Sequence, residues 1–282
     1  MNILAFQITK TKDFPFQTHA STLDEMTREL PQGFYTTFNT LSHGTKVLGL
    51  YAHLQRLYVP AIEQGITPAV DKQTLRSRIA EFAKMNLPKE SRIRLILAEN
   101  NGMIYVGIQP FEPLSKQIYE NGVKVITTEL ARQAPRVKDT GFISSSIAQR
   151  RQVGRAVFED LLTKDGKILE GMTSNFYVVK GKTLVTAQRG ILLGVTRRVI
   201  LRLARGQGIS IEYRSPHVNE KFDEAFLTSS SRGVVPIISI DNKSVGQGRV
   251  GKWTKILMKG YWEYVEKKSE RISWKVEGWK IS

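Results

Sequence analysis

Two stretches decide how this sequence is interpreted: Arg136–Ile143, which reads RVKDTGFI, and Glu170–Phe176, which reads EGMTSNF. The first contains Lys138, and the second begins with Glu170. A neutral lysine amine is a nucleophile that can hold a carbonyl compound covalently, and an acid can set the charge of a bound nitrogen heterocycle. Most single lysines and glutamates are solvated surface charges, so the pair needs support from the rest of the chain.

Further motifs follow in a fixed order along the chain. They are His53–Leu57 (HLQRL), Gly194–Arg198 (GVTRR), Ala225–Ser231 (AFLTSSS) and Pro236–Asp241 (PIISID). Together with the two stretches above, they resemble the class IV aminotransferases, also called fold-type IV pyridoxal 5'-phosphate (PLP) enzymes. This family includes branched-chain aminotransferases, D-amino acid aminotransferases and aminodeoxychorismate lyases. The resemblance extends from about Gly33 to about Tyr261.

The resemblance implies a PLP-dependent aminotransferase that moves an amino group between an amino acid and a 2-oxo acid. Lys138 would hold the cofactor as a Schiff base, and it would carry a proton between the substrate α-carbon and the C4' carbon of the cofactor. Glu170 would face the pyridine nitrogen and favour its protonated form.

The cofactor phosphate needs backbone amides, hydroxyl groups and a cation. Val195 and Thr196 stand at the predicted start of a helix, where free amides and the positive end of the helix dipole converge. The resemblance implies a second group of phosphate contacts at Ser229 and Ser230, and it implies that Arg56 provides the cation. Each of these residues also has an ordinary explanation as a helix cap, a strand end or an exposed arginine.

Tyr35 and Arg94 are the candidate substrate contacts. The chain departs from the family at three nearby positions, since Thr36 stands where a glutamate is frequent, and Arg92 and Phe142 stand where branched-chain aminotransferases have tyrosine. These departures argue against branched-chain specificity.

Two other functions remain open. An aminodeoxychorismate lyase, which releases pyruvate and 4-aminobenzoate, would need the same lysine and the same cofactor. A non-catalytic basic binding protein is the more distant alternative, for which the evidence is the formal net charge of +16. The basic residues are spread along the chain, with clusters at Arg150, Arg151 and Arg155 and after Lys252, so no specific nucleic-acid partner is expected.

The predicted fold class is α+β with two domains: a small N-terminal α+β domain at 1–118 and a larger C-terminal cofactor-binding domain at 119–282 with a β-barrel-like core. The 282-residue chain has no cysteine, no run of apolar residues long enough for a membrane span, and histidines without metal-ligand spacing. We therefore expect a cytoplasmic protein without a metal site. The resemblance further implies a homodimer, in which the segment 100–109 approaches the partner's site.

The hydrophobic periodicity predicts helices over 47–62, 74–85, 143–162, 196–204 and 252–267. Alternating residues around Ile93 and Tyr105, joined by Asn101-Gly102, predict a hairpin. Strands are expected at 123–127, around Ile168 and at 176–179, and a linker is expected at 110–121.

Overall fold

The computed structural model describes residues 3–150 and 157–272 of the chain. Its strands are β1 (Leu4–Ile8), β2 (Asp13–Pro15), β3 (Gly33–Leu41), β4 (Lys46–Val47), β5 (Ser91–Ala98), β6 (Ile104–Pro110), β7 (Val123–Glu129), β8 (Asp160–Lys164), β9 (Lys167–Gly171), β10 (Asn175–Lys180), β11 (Thr183–Thr186), β12 (Ser210–Tyr213), β13 (Glu224–Ser229), β14 (Gly233–Ile240), β15 (Lys243–Ser244) and β16 (Glu270–Arg271). Its helices are α1 (Leu23–Arg28), α2 (Leu50–Glu63), α3 (Lys72–Lys84), α4 (Lys116–Asn121), α5 (Gly141–Ser145), α6 (Ile147–Arg150), α7 (Val195–Gly206) and α8 (Lys252–Lys268).

The described residues form two compact units. The first contains 3–112, 139–141 and 268–272, and the second contains 113–138 and 142–267 apart from 151–156. The short segment 139–141 belongs to the first unit because Thr140 exchanges hydrogen bonds with Gly33: its amide donates to the Gly33 carbonyl, and its Oγ1 accepts from the Gly33 amide. The domain limits expected from the sequence, 1–118 and 119–282, do not anticipate these crossings of the chain.

An antiparallel seven-stranded sheet forms the centre of the first unit, in the order β16-β4-β3-β5-β6-β1-β2. The predicted hairpin is confirmed as β5 and β6, with Leu95 opposite Val106. Gly102 has a φ of +68°, a conformation that glycine adopts without steric cost. Nearly all side chains of β5 are buried, which explains why this strand is so apolar.

A nine-stranded mixed sheet forms the centre of the second unit. The strand order is β12-β11-β10-β13-β14-β7-β8-β9, and β15 pairs with β14. β14 pairs in parallel with β7, and β7 in parallel with β8, whereas β8 and β9 form an antiparallel hairpin. A turn joins β9 to β10, and the sheet curls into a half-barrel around a core of apolar side chains that includes Phe176 and Leu227. The predicted α+β class is therefore confirmed.

Two local predictions were wrong. The expected helix 143–162 is replaced by two short helices, α5 and α6, and by the strand β8; residues 151–156, including Arg151 and Arg155, lie outside the described range. β8 lies between β7 and β9, and Leu161 and Leu162 are both buried. A short apolar run of this kind fits a buried strand as well as a helix, and long-range pairing decides the outcome. The expected linker at 110–121 contains the helix α4.

No helix within the described ranges is both long enough and apolar enough to span a membrane. The same ranges contain no group of three or more potential metal-ligating His, Cys, Asp or Glu residues.

Candidate active site

Glu170 lies near the end of β9 and is 2% exposed. Its Oε1 accepts a hydrogen bond from Arg132 Nε at 2.7 Å, and its Oε2 accepts one from the Leu192 amide at 3.1 Å and a longer one from Asn175 Nδ2 at 3.5 Å. An ionised carboxylate offers about four acceptor positions. These three bonds therefore leave Glu170 able to accept one further donor.

Burial raises the pKa of the Glu170 carboxyl above its usual value of 4.5. The Arg132 guanidinium, the Leu192 amide and the Lys138 ammonium all oppose this rise because each favours the ionised form. Desolvation and the attraction to nearby cations therefore shift the pKa of this carboxyl in opposite directions. A further positive charge close to it would favour the carboxylate.

Arg132 is the main charged partner of Glu170. It lies in the loop after β7, its side chain is 4% exposed, and its Nη2 donates to the Met172 carbonyl at 3.0 Å. Its guanidinium lies over the ring of Phe142, 3.6 Å from the centroid. The remaining nitrogen, Nη1, is buried and has no hydrogen-bond partner among the described residues. A buried donor of this kind is suited to an acceptor on a bound ligand.

Lys138 is half-buried, in the same loop as Arg132 and directly before the residues that lead into α5. Its ammonium group is close enough to Glu170 to lower the pKa of that carboxyl. The structure therefore brings together the two residues that the sequence motifs singled out.

The N-terminus of α7 lies next to this pair. Its N-cap is Gly194, which has no side chain with which to cap the helix, and the next two residues, Val195 and Thr196, are both buried. Asn175 Oδ1 accepts from the Gly194 amide at 3.1 Å, and its Nδ2 donates to the Leu192 carbonyl at 2.7 Å. A Cβ added at Gly194 would clash with Asn175 Oδ1, so this close approach requires glycine.

Ser229 ends β13, and Ser230 begins the turn into β14. Arg232, in the same turn, donates from Nε to Ser229 Oγ at 3.1 Å and pairs with Glu159 at 2.7 Å. Glu159 Oε1 also accepts hydrogen bonds from the amide and hydroxyl of Thr173. Arg232 and Glu159 thereby join the Ser229 turn to the turn that follows Glu170.

Three of the predicted site residues, Arg56, Tyr35 and Arg94, lie in the first unit. Arg56 is half-buried on α2, and Tyr35 is buried on β3. Arg94 is 4% exposed and lies over the Tyr35 ring at 5.0 Å from the centroid.

The Arg94 guanidinium is held mainly by α1. Its Nη1 donates to the Leu23 carbonyl at 2.9 Å, to Asp24 Oδ1 at 2.7 Å and to Thr27 Oγ1 at 2.9 Å, and its Nε donates to Thr37 Oγ1 at 3.0 Å. These contacts fasten α1 to the sheet. The substrate role of Arg94 stays a prediction.

His53 joins its helix to a neighbouring strand, because His53 Nδ1 and Thr36 Oγ1 are 2.7 Å apart, on α2 and β3 respectively. Thr36, which replaces a glutamate frequent in the family, is therefore a hydrogen-bonding partner inside the first unit.

The residues of the second unit fit PLP in three respects. Lys138 supplies an amine, Glu170 supplies an acid with remaining acceptor capacity, and the α7 N-terminus supplies amides with no side-chain cap. The unpartnered Arg132 Nη1 adds a buried donor suited to an oxygen on a bound ring. Such a donor set suits a ligand with an aldehyde, a ring nitrogen, a ring oxygen and a phosphate.

The sequence motifs did not point to Arg132. A signal for Arg132 was present in its position, since it lies shortly before Lys138 in a loop with few apolar residues. The pairing with Glu170 joins residues far apart in sequence, so no local pattern could reveal it.

Comparison with known proteins is consistent with this geometry. The family model for amino-transferase class IV matches residues 33–240. A D-alanine aminotransferase from Bacillus licheniformis is 29% identical over 219 residues, covering 72% of this chain and 77% of the relative. A putative branched-chain-amino-acid aminotransferase from Methanocaldococcus jannaschii is 27% identical over 232 residues, covering 75% and 80%.

Solved structures show the same fold. A putative branched-chain amino acid aminotransferase from Thermotoga maritima superposes with a TM-score of 0.79 at 26% identity, covering 96% of this chain and 99% of the other. A T.th. branched-chain amino acid aminotransferase with pyridoxamine 5'-phosphate superposes with a TM-score of 0.80 at 19% identity, covering 96% and 98%.

Proposed function

Because this chain belongs to the class IV aminotransferase family, whose members use PLP, we propose that Lys138, Glu170 and the α7 N-terminus form its active site. The enzyme transfers an amino group between an amino acid and a 2-oxo acid. One observation carries the assignment of the site: a buried carboxylate with spare acceptor capacity lies within electrostatic reach of a half-buried lysine.

Bound PLP supplies an electron sink that stabilises negative charge at the substrate α-carbon. Glu170 would keep that sink effective, because its carboxylate has capacity to accept a hydrogen bond from a protonated ring nitrogen. Arg132 holds the Glu170 carboxylate in one orientation through Nε, and its Nη1, which has no hydrogen-bond partner among the described residues, would donate to a ring oxygen.

Lys138 acts twice in this proposal. Its Nζ would hold the cofactor covalently and, once the substrate amine has displaced it, would be the base and acid that carries a proton between the substrate α-carbon and C4'.

The amides of Val195 and Thr196, the Thr196 hydroxyl and the hydroxyls of Ser229 and Ser230 bind the phosphate group. The free amides at the start of α7 favour an anion because the helix dipole adds to their partial charges. Arg56 is proposed to supply the cation that would balance the phosphate charge.

Tyr35 and Arg94 are proposed to contact the substrate. Arg94 is already hydrogen-bonded to α1. Its effect on substrate binding would therefore come partly through the Tyr35 ring, over which its guanidinium lies, and partly through its own remaining donor atoms. The chain resembles relatives named for D-alanine and relatives named for branched-chain amino acids, so the amino acid that donates the amino group is to be found by experiment.

The assembly and location are proposals of the same kind. We expect a cytoplasmic homodimer in which the segment 100–109 approaches the partner's active site. Light scattering at low micromolar concentration should give twice the chain mass of 31.9 kDa. A monomer that keeps full activity on dilution would contradict this proposal.

The lyase alternative has no observation in its favour, because the relatives and structures named above are called aminotransferases. The non-catalytic binding protein is excluded by membership of an enzyme family.

The proposed anchor is tested by covalent trapping. Purified protein should be yellow, and reduction with borohydride followed by mass spectrometry should place the cofactor mass on the peptide that contains Lys138. Lys138→Ala should abolish the trapped adduct and turnover. Lys124→Ala is the matched control, since Lys124 is exposed on β7 of the same unit. A wild-type protein that stays colourless after incubation with PLP would refute the proposal.

The substrate class is tested with a panel of D- and L-amino acids offered with several 2-oxo acids. Formation of a new amino acid from one of these pairs is the expected result. Aminodeoxychorismate is added separately without an acceptor. Release of 4-aminobenzoate in that reaction, together with no transfer in the panel, would favour the lyase.

A further inference from the structure

Arg232 lies in the turn between β13 and β14 and contacts three polar side chains of the second unit. Its Nε donates to Ser229 Oγ at 3.1 Å, its Nη2 donates to Thr173 Oγ1 at 2.6 Å, and the same Nη2 forms an ion pair with Glu159 at 2.7 Å. The guanidinium also lies over the ring of Phe158, 5.1 Å from the centroid. These contacts fix the plane of the guanidinium and therefore the direction of its bond to Ser229.

Counting protons assigns a direction to the hydrogen bonds around Arg232. A guanidinium has donors and no acceptor, so the hydroxyl oxygens of Ser229 and Thr173 must both accept from it. Thr173 then donates its own proton to Glu159 Oε1 at 3.0 Å. Ser229 likewise keeps its single proton for another acceptor. A phosphate dianion offers only acceptors, so a Ser229 in this state is prepared to donate to one.

The turn is held on both its backbone and its side-chain side. The phenol of Tyr119, on α4, donates to the Arg232 carbonyl at 2.8 Å. On the other side, the guanidinium is tied through Thr173 and Glu159 to the turn that follows β9. Arg232 therefore cannot reorient without breaking contacts to two other elements of the unit.

The charge of Arg232 is already compensated within the protein. Its ion-pair partner Glu159 has a side chain that is 1% exposed, whereas the Arg232 side chain is 17% exposed. A guanidinium paired with a buried carboxylate adds little net positive charge to its surroundings. What Arg232 contributes to Ser229 is therefore the direction of a hydrogen bond.

We propose that Arg232 is a positioning residue for the cofactor phosphate: its Nε donates to Ser229 Oγ, so that the Ser229 hydroxyl donates its proton to the phosphate. This inference rests on the proposed function, because it requires a phosphate beside the β13–β14 turn. It adds to that site an arginine that acts through Ser229 and not through its own charge.

Binding of pyridoxamine 5'-phosphate to cofactor-free enzyme tests the inference, since this ligand binds without a covalent link to lysine. Arg232→Lys keeps a cation beside Glu159, but an ammonium lacks the planar fork that reaches Ser229 and Thr173 together. The loss of one oriented hydrogen bond predicts affinity about three- to tenfold weaker, measured by fluorescence titration. Retained wild-type affinity in Arg232→Lys would show that charge alone suffices and would overturn the inference.

The matched control is Arg214→Lys. Arg214 is half-buried in the same unit and forms ion pairs with Glu212 and Glu220, each at 2.7 Å. Its replacement changes the same chemical groups away from the Ser229 turn and should leave the affinity unchanged. An equal loss in both variants would assign the effect to a general loosening of the unit and would contradict the role of Arg232.

A double-mutant cycle separates positioning from general packing. If Arg232 acts through Ser229, Arg232→Lys should have no further effect on affinity in a Ser229→Ala background. The ³¹P resonance of the bound ligand should also shift in Arg232→Lys as it does in Ser229→Ala, and not in Arg214→Lys. The same loss of affinity with and without the Ser229 hydroxyl would overturn the inference.

A second variant keeps the test decisive if Arg232→Lys does not fold. Arg232→Met combined with Glu159→Gln removes the guanidinium without leaving a buried charge unpaired, and it should weaken binding at least as much. Wild-type affinity in this double variant would overturn the role of Arg232 and leave the proposed function standing. A wild-type protein that binds neither pyridoxamine 5'-phosphate nor PLP would overturn both.

Discussion

Arg132 and Glu170 form a buried ion pair, with Nε of Arg132 2.7 Å from Oε1 of Glu170 and side chains that are 4% and 3% exposed. Taking two charges out of water costs several kcal/mol for each ion, and the attraction between them offsets this cost only while both are present. The pair is therefore sensitive to the loss of either partner. It also fixes the carboxylate that the proposed mechanism directs at the ring nitrogen.

Replacing Arg132 with methionine should destabilise the cofactor-free protein by about 3–5 kcal/mol at pH 8, because the buried Glu170 carboxylate loses the cation with which it forms an ion pair. Urea unfolding followed by circular dichroism measures the change. Arg136→Met, in the same loop but exposed, is the matched control and should cost less than about 1 kcal/mol. Equal losses of stability in the two variants would show that the buried ion pair contributes no more to stability than the exposed arginine does.

The loss of stability caused by Arg132→Met should depend on pH. Arg132 lowers the pKa of Glu170, so its removal raises the folded-state pKa further above the usual 4.5. A group with a raised folded-state pKa contributes stability that is present below the unfolded-state pKa and is lost as pH rises through the folded-state value. The variant should therefore lose stability relative to wild type as pH rises from 5 to 8.

The control for this pH dependence is the double variant Arg132→Met with Glu170→Gln, which has no titrating carboxyl at the site. Its stability relative to wild type should not show the same fall between pH 5 and 8. A fall as large as in the single variant would assign the effect to another group.

Glu170→Gln should reduce turnover by roughly 100-fold or more, which corresponds to about 2.7 kcal/mol of lost transition-state stabilisation. The amide carries no charge with which to hold the ring nitrogen protonated. Binding of pyridoxamine 5'-phosphate should change far less, because the phosphate contacts remain. Glu129→Gln, an exposed residue that ends β7, is the control for both measurements. Unchanged turnover in Glu170→Gln would remove Glu170 from the mechanism.

Arg94→Met should destabilise the protein by about 2–4 kcal/mol, because it removes four hydrogen bonds that a buried guanidinium on β5 makes to β3 and α1. Arg78→Met is the comparison, since Arg78 is 37% exposed and pairs with Asp13 at 3.4 Å. Thermal unfolding measures both variants. If Arg94→Met is as stable as wild type but raises KM, the substrate role would outweigh the structural one.

Local sequence information was sufficient for the parts of the fold that depend on short-range geometry. The hairpin of β5 and β6 follows from alternating residues around Asn101-Gly102, and α2, α3, α7 and α8 follow from their apolar periodicity. The strand β8 was mistaken for a helix. Its apolar residues are buried by β7 and β9, which come from separate parts of the chain, and a local pattern does not include such partners.

The sequence by itself determined the family, the cofactor and the pair Lys138 and Glu170, because these depend on residue types in a fixed order. Only the tertiary structure decided what holds that pair in place. Arg132, in the loop after β7, reaches Glu170 near the end of β9. This contact joins residues far apart in the chain, and whether a buried polar group finds its partner depends on how the sheet and helices pack around it.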